Sequence, residues 1–280
     1  MSISGKYLDQ MGGRLTLETG VPISVSDQTA KGTLYYTPYS GGGGEKVCLF
    51  DGTNWIFLEF TQQSLDISGY TADLPYDIFM YDNSGTPTIE GLIWTNTITR
   101  ATALTTQDGV YVKTGATTRR YLGTIMMTDQ LGECEDSDTF RGVWNYYNRV
   151  PRRLYRTYAA SHSYATGAWR PFNNSQANSE FEFVVGVRED ALVVYLQLQF
   201  NYTAGGGQPF GSLGINTASA ASTDRYITAY HTTGTVTFSA GINYDYLPSL
   251  GYSYIVPVEY GGAATSPTFV DVAIGATILA

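Results

Sequence analysis

The 280-residue sequence has few charged residues. Asp, Glu, Lys and Arg make up 15% of it, whereas roughly a quarter is usual for globular domains. Thr, Ser, Gly, Asn and 23 tyrosines take the place of the missing charge. Thr, Gly and Asn are poor helix formers, whereas aromatic and β-branched side chains pack well on the half-buried surface of a sheet. The composition therefore argues against a helical protein and predicts an all-β fold.

Cysteine and histidine are almost absent, which limits the chemistry open to the chain. Cys48 and Cys134 form no CxxC motif, so two free structural thiols are expected, and a disulfide between them stays open as the alternative. Two histidines, His162 and His231, cannot assemble a zinc site. Neither stands beside a Gly-x-Ser-x-Gly motif, which would indicate a Ser-His-Asp triad. We therefore predict no catalytic residues, no metal and no cofactor.

Basic residues are outnumbered, 16 to 25, and the net charge of −9 argues against binding to nucleic acid. The one arginine cluster, Arg149, Arg152, Arg153 and Arg156, is interpreted as a linker that forms salt bridges with nearby acids. An anion or a partner's carboxylates are the alternative ligands for it. No window reaches the ~18 apolar residues of a transmembrane helix. Residues 1–6 also lack the apolar stretch of a signal peptide, so we expect synthesis in a cytoplasm without membrane insertion.

Short strands and turns alternate along the chain from Arg14 onward. The clearest hairpin is predicted at Asp51-Gly52, because this turn dipeptide separates two apolar runs, 46–50 and 55–60. Turn signals recur about every 8–12 residues, which is the spacing of a β-sandwich or barrel. The fold class predicted is all-β, with antiparallel sheets.

The predicted organisation is an arm followed by two β domains. Residues 1–12 are expected to form a flexible arm, and residues 13–150 a meander or barrel-like domain. Residues 151–280 are expected to form a jelly-roll-like sandwich. Within 137–148, apolar residues recur at helical spacing and Pro151 follows, so a short helix is predicted to close the first domain.

Six stretches of the first domain follow one another in a specific order. They are 13–17, 34–39, 49–55, 76–82, 94–124 and 143–149. This series resembles a recurring module of structural proteins from tailed bacteriophages and prophages. The resemblance implies a virion protein of fibre or capsid-decoration type, commonly a homotrimer in contact with capsid, portal or tail proteins. It implies no enzymatic activity.

Aromatic residues in or beside predicted loops of the second domain are the one feature that indicates binding. Such side chains can stack on sugar faces or anchor protein interfaces. Packing in the core and between subunits is the alternative interpretation. The candidates for glycan binding are Trp169, Tyr202, Phe210, Tyr244 and Tyr246, and Tyr252 belongs to the same group.

Two functional hypotheses follow, and a third is set against them. In the first, the chain is a structural virion protein whose first domain, residues 13–150, attaches to the particle and whose second domain, residues 151–280, trimerises on the outer side. In the second, it is a module that binds glycans on the host surface. The third, a polysaccharide-degrading enzyme, needs two carboxylates that face one cleft. The acidic run Glu133, Glu135, Asp136 and Asp138 is instead interpreted as a solvated or cation-binding turn, so no enzyme is expected.

Overall fold

The structure, a computed structural model, describes residues 8, 10–40, 44–203, 208–229, 234–262 and 267–280. The first twelve strands are β1 (Gly13–Thr16), β2 (Gln28–Lys31), β3 (Thr33–Pro38), β4 (Lys46–Phe50), β5 (Trp55–Glu59), β6 (Gln63–Asp66), β7 (Pro75–Asn83), β8 (Thr86–Asn96), β9 (Thr99–Arg100), β10 (Leu104–Gln107), β11 (Val110–Lys113) and β12 (Ala116–Met126). They are followed by β13 (Cys134–Asp136), β14 (Phe140–Arg141), β15 (Val143–Asn145), β16 (Pro151–Ser163), β17 (Arg170–Pro171), β18 (Phe181–Val185), β19 (Leu192–Thr203), β20 (Phe210–Ile215), β21 (Ile227–Thr228), β22 (Thr235–Tyr246), β23 (Gly251–Tyr260) and β24 (Thr268–Leu279).

The predicted all-β class is confirmed. The described residues contain one turn of 3-10 helix, Phe172–Asn174, and no α-helix. The strands are antiparallel in every named pair except β14 with β18, which is parallel. The predicted hairpin is also confirmed: β4 pairs with β5, and the Asp51 carboxylate accepts hydrogen bonds from the turn amides of Thr53 and Asn54.

Strands of the first half form three sheets around one core. A seven-stranded sheet has the order β10-β11-β12-β7-β8-β9, with β15 paired to β12. The three-stranded sheet β1-β3-β6 and the hairpin β4-β5 pack near it. Long apolar side chains such as Leu34, Ile78 and Ile125 are fully buried in this core. The described strands do not close into a barrel, so the barrel-like form is not seen.

Strands of the second half enclose a second, larger core between two sheets. One sheet has four strands, in the order β16-β24-β19-β22. The other has the order β2-β13-β14-β18-β23-β20-β21, with β17 paired to β23. Along β19 the side chains alternate, and those facing the second sheet, from Leu192 to Tyr202, are buried. The architecture is a β-sandwich.

The short helix expected within 137–148 is wrong. Phe140–Arg141 and Val143–Asn145 are strands, and β15 pairs with β12 so that Trp144 is buried beside the larger core. Gly142 connects the two strands, and its amide donates to the Glu135 carbonyl at 3.0 Å. An added Cβ at Gly142 would lie 2.4 Å from that carbonyl oxygen. Helical spacing of apolar residues is therefore overruled here by pairing with distant strands.

The two halves of the chain have separate cores, but a shared sheet and a hydrogen-bonded arginine connect them. Strands β2, β13 and β14 from the first half share one sheet with β18 and β23. Arg100 donates both to the buried Asp77 carboxylate, at 2.6 Å, and to the carbonyl of Gly186 in the second half. The division at residue 150 stays a prediction.

The predicted salt-bridged arginine cluster is confirmed for three of its members. Arg149 pairs with Glu189 and Asp190, Arg152 with Asp136, and Arg153 with Asp138. Arg156 instead donates to the backbone carbonyls of Ala177 and Asn178, at 2.7 and 3.0 Å. The cluster therefore fastens the linker to neighbouring segments.

Residues 10–12 of the expected flexible arm are paired with β4. The Gly12 amide donates to the Lys46 carbonyl at 2.9 Å, and the Cys48 amide donates to the Gln10 carbonyl at 3.1 Å. Apart from Leu8, the rest of the arm lies outside the described residues. Cys48 and Cys134 are both buried free thiols, and burial raises the pKa of each. Within the described ranges, no helix has the length and apolar character needed to cross a membrane.

Candidate aromatic binding cleft

Two aromatic side chains lie opposite each other on neighbouring strands of the second sheet. Phe210 begins β20 and Tyr260 ends β23, and the two residues are partners in the antiparallel register. Opposed residues project from the same face of a sheet, and their rings meet with centroids 5.8 Å apart. Side chains alternate between faces, and Leu213 and Ile255 belong to the core. Phe210 and Tyr260 therefore lie on the outer face of the sandwich.

Trp169 and Tyr226 complete the site from two flanking segments. Trp169 immediately precedes β17, which pairs with β23, and its ring centroid is 5.4 Å from that of Tyr260. Tyr226 immediately precedes β21, which pairs with β20, and its ring is 6.0 Å from Phe210. The Trp169 and Tyr226 rings are inclined by 21°, with centroids 5.8 Å apart. Four rings from four segments thus converge on one opening.

The opening is a cleft of about 260 Å³ lined by these four rings, and we call it the aromatic cleft. Tyr226 is 46% exposed, and the other three rings are half-buried. Exposed apolar side chains that cluster, rather than occurring singly, mark binding surfaces. Flat aromatic rings offer stacking surfaces, and tyrosine adds a hydroxyl that forms hydrogen bonds at the rim. The cleft can therefore hold a flat, uncharged ligand ring.

A buried ion network fixes the strands behind the aromatic cleft. Glu259, which precedes Tyr260, is fully buried. Its carboxylate accepts from Arg170 Nε at 2.7 Å and from His162 Nε2 at 2.8 Å. Arg170 follows Trp169 and is the register partner of Glu259. The ion pair therefore holds Trp169 beside Tyr260.

Both ring nitrogens of His162 face oxygen acceptors. Nε2 contacts the Glu259 carboxylate, and Nδ1 lies 2.6 Å from the Ala160 carbonyl oxygen. Because these oxygens accept, both nitrogens donate when the ring is an imidazolium. Burial by itself lowers the pKa of His162, but the hydrogen bonds to Glu259 and Ala160 together raise the pKa above its ordinary value. The Arg170 guanidinium and the His162 ring thus both contact the one buried carboxylate of Glu259.

The structure brings together two of the five predicted glycan-binding residues. Trp169 and Phe210 both line the aromatic cleft. Tyr202 does not, and its prediction is wrong: it occupies a core-facing position of β19 rather than a loop, and it is 1% exposed. Tyr244 and Tyr246 lie in β22, half-buried against the larger core and away from the cleft.

Sequence reasoning misses Tyr226 and Tyr260. Each stands at the boundary of a strand, and neither is near Trp169 or Phe210 in a way that the sequence reveals. The pairing of β17, β23, β20 and β21 is what gathers the four rings. An aromatic residue at a strand end is the only local signal, and it does not say which other rings it will meet.

A second cleft, of about 390 Å³, opens at the other end of β23. Its lining includes Glu135, Glu180, Glu182 and Tyr252, and we call it the acidic cleft. Tyr252 Oη donates to Glu182 Oε2 at 2.6 Å, and Gln176 Nε2 donates to Glu180 Oε2 at 2.7 Å. These two carboxylates therefore bond to neutral donors. Tyr252, which the sequence groups with the other aromatics, belongs to this cleft.

Burial raises the pKa of Glu180 and of Glu182 above the ordinary glutamate value. The hydrogen bonds from Gln176 and Tyr252 offset only part of this effect. Arg156 also lines the cleft, but its guanidinium donates to backbone carbonyls. A carboxyl with a raised pKa can donate a hydrogen bond or a proton, and this is the chemistry open to the acidic cleft.

The acidic run at 133–138 is divided between two environments. Asp136 and Asp138 pair with Arg141, at 3.1 and 2.8 Å, whereas Glu135 faces the acidic cleft. In the part of the chain that the structure describes, no three His, Cys, Asp or Glu side chains are grouped so that they could hold a metal ion. His231 lies outside the described residues.

Comparison with known proteins adds no family. No family model matches the chain, and no curated protein matches it. Solved structures similar to it include dimeric latent PorU from Porphyromonas gingivalis, with 8% identity and a TM-score of 0.30, covering 75% of this chain and 20% of that one. Another is BuGH86 in complex with neoagarooctaose, with 10% identity and a TM-score of 0.27, covering 90% and 34%. A third is infectious bursal disease virus, Gx strain, with 12% identity and a TM-score of 0.31, covering 92% and 73%.

This chain therefore spans a fifth of the PorU chain and about a third of the BuGH86 chain. TM-scores of 0.30, 0.27 and 0.31 do not establish a shared function.

Proposed function

We propose that this chain is a surface protein of a tailed-bacteriophage particle and that it binds a glycan of the host surface through the aromatic cleft. The observation that carries the binding function is the convergence of Trp169, Phe210, Tyr226 and Tyr260 on one open cleft. Aromatic rings offer a large apolar face, on which the apolar face of a sugar ring can stack, and tyrosine adds a hydroxyl for hydrogen bonds. Several rings in one cleft thus support weak, selective binding of a neutral sugar.

The proposed fold of residues 151–280 is a jelly roll. Support comes from strand order, with the two-residue β17 set aside. The remaining eight strands are counted from β16 as the first to β24 as the eighth. The four-stranded sheet β16-β24-β19-β22 then has the order 1-8-3-6, and the facing strands β18-β23-β20-β21 have the order 2-7-4-5. Jelly rolls are common in viral capsid and lectin domains. A jelly roll is therefore consistent both with a location on a phage particle and with glycan binding.

The particle location rests on the resemblance of residues 12–155 to phage structural modules. The test is to purify particles from a lysate in which this chain is made and to label them with antibodies raised against it. Labelling of intact particles in electron micrographs is expected. Particles that lack the chain would contradict the location and leave the glycan-binding function to be judged separately.

The glycan-binding function is tested on an array of neutral and acidic oligosaccharides. Wild-type protein is expected to bind neutral members of the array, and Tyr226→Ala to lose that binding because one wall of the cleft is removed. Tyr195→Ala is the matched control, since Tyr195 is 40% exposed on the opposite sheet, outside the cleft. Equal binding by the two variants would refute a role for the cleft.

We also propose that the chain is not an enzyme. A glycosidase needs two carboxylates on one cleft, and the acidic cleft is the place where such a pair would have to act. No release of reducing ends is expected from the oligosaccharides that bind. Release that disappears in Glu182→Gln would overturn this proposal.

A further inference from the structure

The four-stranded sheet has two edge strands, β16 and β22, and they are protected differently. The β16 edge begins with Pro151 and carries a register irregularity between Ala159 and His162. Its Tyr155 amide donates to the Asp138 carbonyl of a neighbouring segment, at 2.8 Å. Proline, bulges and covering segments are devices that stop an edge from pairing with another chain.

The β22 edge has no proline and no bulge, and within the described residues no strand covers it. Its twelve residues contain no proline and one charged residue, Asp245, and their register with β19 runs without interruption. Arg225 Nη1 donates to the Asn243 carbonyl at 3.1 Å, so the backbone groups of Asn243 point away from β19. Backbone groups alternate in direction along a strand. Those of Thr237, Ser239 and Gly241 therefore point to the same free edge, and no strand of the described residues pairs there.

The core-facing side chains of β22 are incompletely covered. Val236, Phe238, Ala240, Ile242, Tyr244 and Tyr246 are only half-buried, whereas the residues of β19 beside them are buried. The facing sheet ends at β21, which has two residues and is too short to shield this row. A further strand alongside β22 would cover the apolar row and the free backbone groups together.

The sequence of β22 is complementary to itself in one antiparallel register. With Ala240 opposite its own copy, Phe238 lies opposite Ile242 and Val236 opposite Tyr244. Aromatic and β-branched residues are favourable cross-strand partners. Asp245 falls opposite Thr235, so like charges do not meet. Ser239 and Gly241 then exchange backbone hydrogen bonds, which agrees with the direction of their free groups.

We propose that the β22 edge pairs with β22 of a second copy of this chain, about a two-fold axis at Ala240, and extends the four-stranded sheet across both copies. The contact is isologous and closes at two copies. It does not depend on glycan binding. The proposed dimer also differs from the homotrimer that the phage resemblance implies, and the mass of the protein in solution distinguishes a dimer from a trimer.

The first test is the solution mass by light scattering on a sizing column. Twice 30.6 kDa is expected for the wild-type chain. Ser239→Pro removes an amide that points to the partner and not to β19, so a folded monomer is expected. Ser239→Ala keeps the amide and is expected to remain a dimer. A wild-type monomer, or a trimer that Ser239→Pro leaves intact, overturns the proposal.

The second test fixes the register and does not rely on a proline. Opposed residues of a pair that is not hydrogen-bonded have Cα atoms about 4.5 Å apart, within the range of a disulfide. Ala240→Cys is expected to form a covalent dimer under mild oxidation, and Ile242→Cys is not. Cys48 and Cys134 are fully buried, so the wild-type background is low. Equal cross-linking at both positions, or at neither, contradicts the proposed register.

Discussion

The aromatic and acidic clefts lie at the two ends of one strand, β23. Tyr260 lines the first and Tyr252 the second, and both project from the outer face of the sandwich. The two tyrosines are eight positions apart in the sequence, which corresponds to about 26 Å of strand. A single strand therefore supplies a tyrosine to two sites that have different surfaces.

The sites differ in what faces their carboxylates. Glu259, behind the aromatic cleft, is fully buried between Arg170 and His162. Glu182, in the acidic cleft, accepts a hydrogen bond from the neutral Tyr252 hydroxyl. A buried carboxylate that is paired with an arginine is fixed in place, whereas one with only neutral donors keeps its desolvation cost. The first carboxylate is therefore a support for the rings, and the second is a group that titrates at the surface of its cleft.

Glu259→Gln is expected to have the larger effect of the two glutamate substitutions on the free energy of unfolding. The substitution leaves Arg170 and His162 without their anion in a buried site, where loss of one partner costs about 3–5 kcal/mol. A decrease of about 3 kcal/mol in the free energy of unfolding is expected, measured by urea denaturation. Glu59→Gln is the control, because Glu59 is an exposed partner of Lys46 and such pairs contribute at most about 1 kcal/mol. Equal effects of the two substitutions would contradict a supporting role for Glu259.

Glu182→Gln is expected to increase the free energy of unfolding at pH 7, by less than Glu259→Gln decreases it. Burial raises the pKa of Glu182, so the folded state holds this proton to higher pH than the unfolded state. Stability of the wild-type chain therefore falls as the pH rises from the ordinary glutamate pKa through the raised one. The Gln variant has no such fall and still accepts from Tyr252. A gain on the order of 0.5 kcal/mol at pH 7 is expected.

That gain should disappear below the ordinary glutamate pKa, where the Glu182 carboxyl is protonated in both states. Unfolding curves at pH 4 and pH 7 provide the measurement, again with Glu59→Gln as the control. A gain that is the same at both pH values would show that charge on Glu182 is not its cause.

Local features of the fold are predictable from the sequence, and nonlocal ones are not. The hairpin of β4 and β5 is specified by an Asp-Gly turn between two apolar runs, all within fifteen residues. The prediction of a helix within 137–148 is wrong because Val143 and Trp144 belong to a strand that pairs with β12, an earlier strand of the chain. This pairing buries both side chains. Apolar spacing cannot distinguish these outcomes when a distant strand supplies the contact.

The same limit applies to the aromatic cleft. Trp169 and Phe210 are predictable as loop-adjacent aromatics, and Tyr202 fails because β19 extends further than its sequence suggests. Tyr226 and Tyr260 enter through strand pairing alone. The ion network behind the aromatic cleft is even less predictable, because His162 and Glu259 are 97 residues apart and neither lies in a recognisable motif.

The most direct test of the central claim is calorimetric titration with the neutral oligosaccharide that binds best on the array. Trp169→Ala is expected to weaken binding at least tenfold, which corresponds to about 1.4 kcal/mol, and Trp169→Phe to weaken it less because a ring is kept. Tyr195→Ala is expected to bind as the wild-type chain does. Equal affinity of wild type and Trp169→Ala, or no binding by wild type to any neutral oligosaccharide, would contradict glycan recognition by the aromatic cleft.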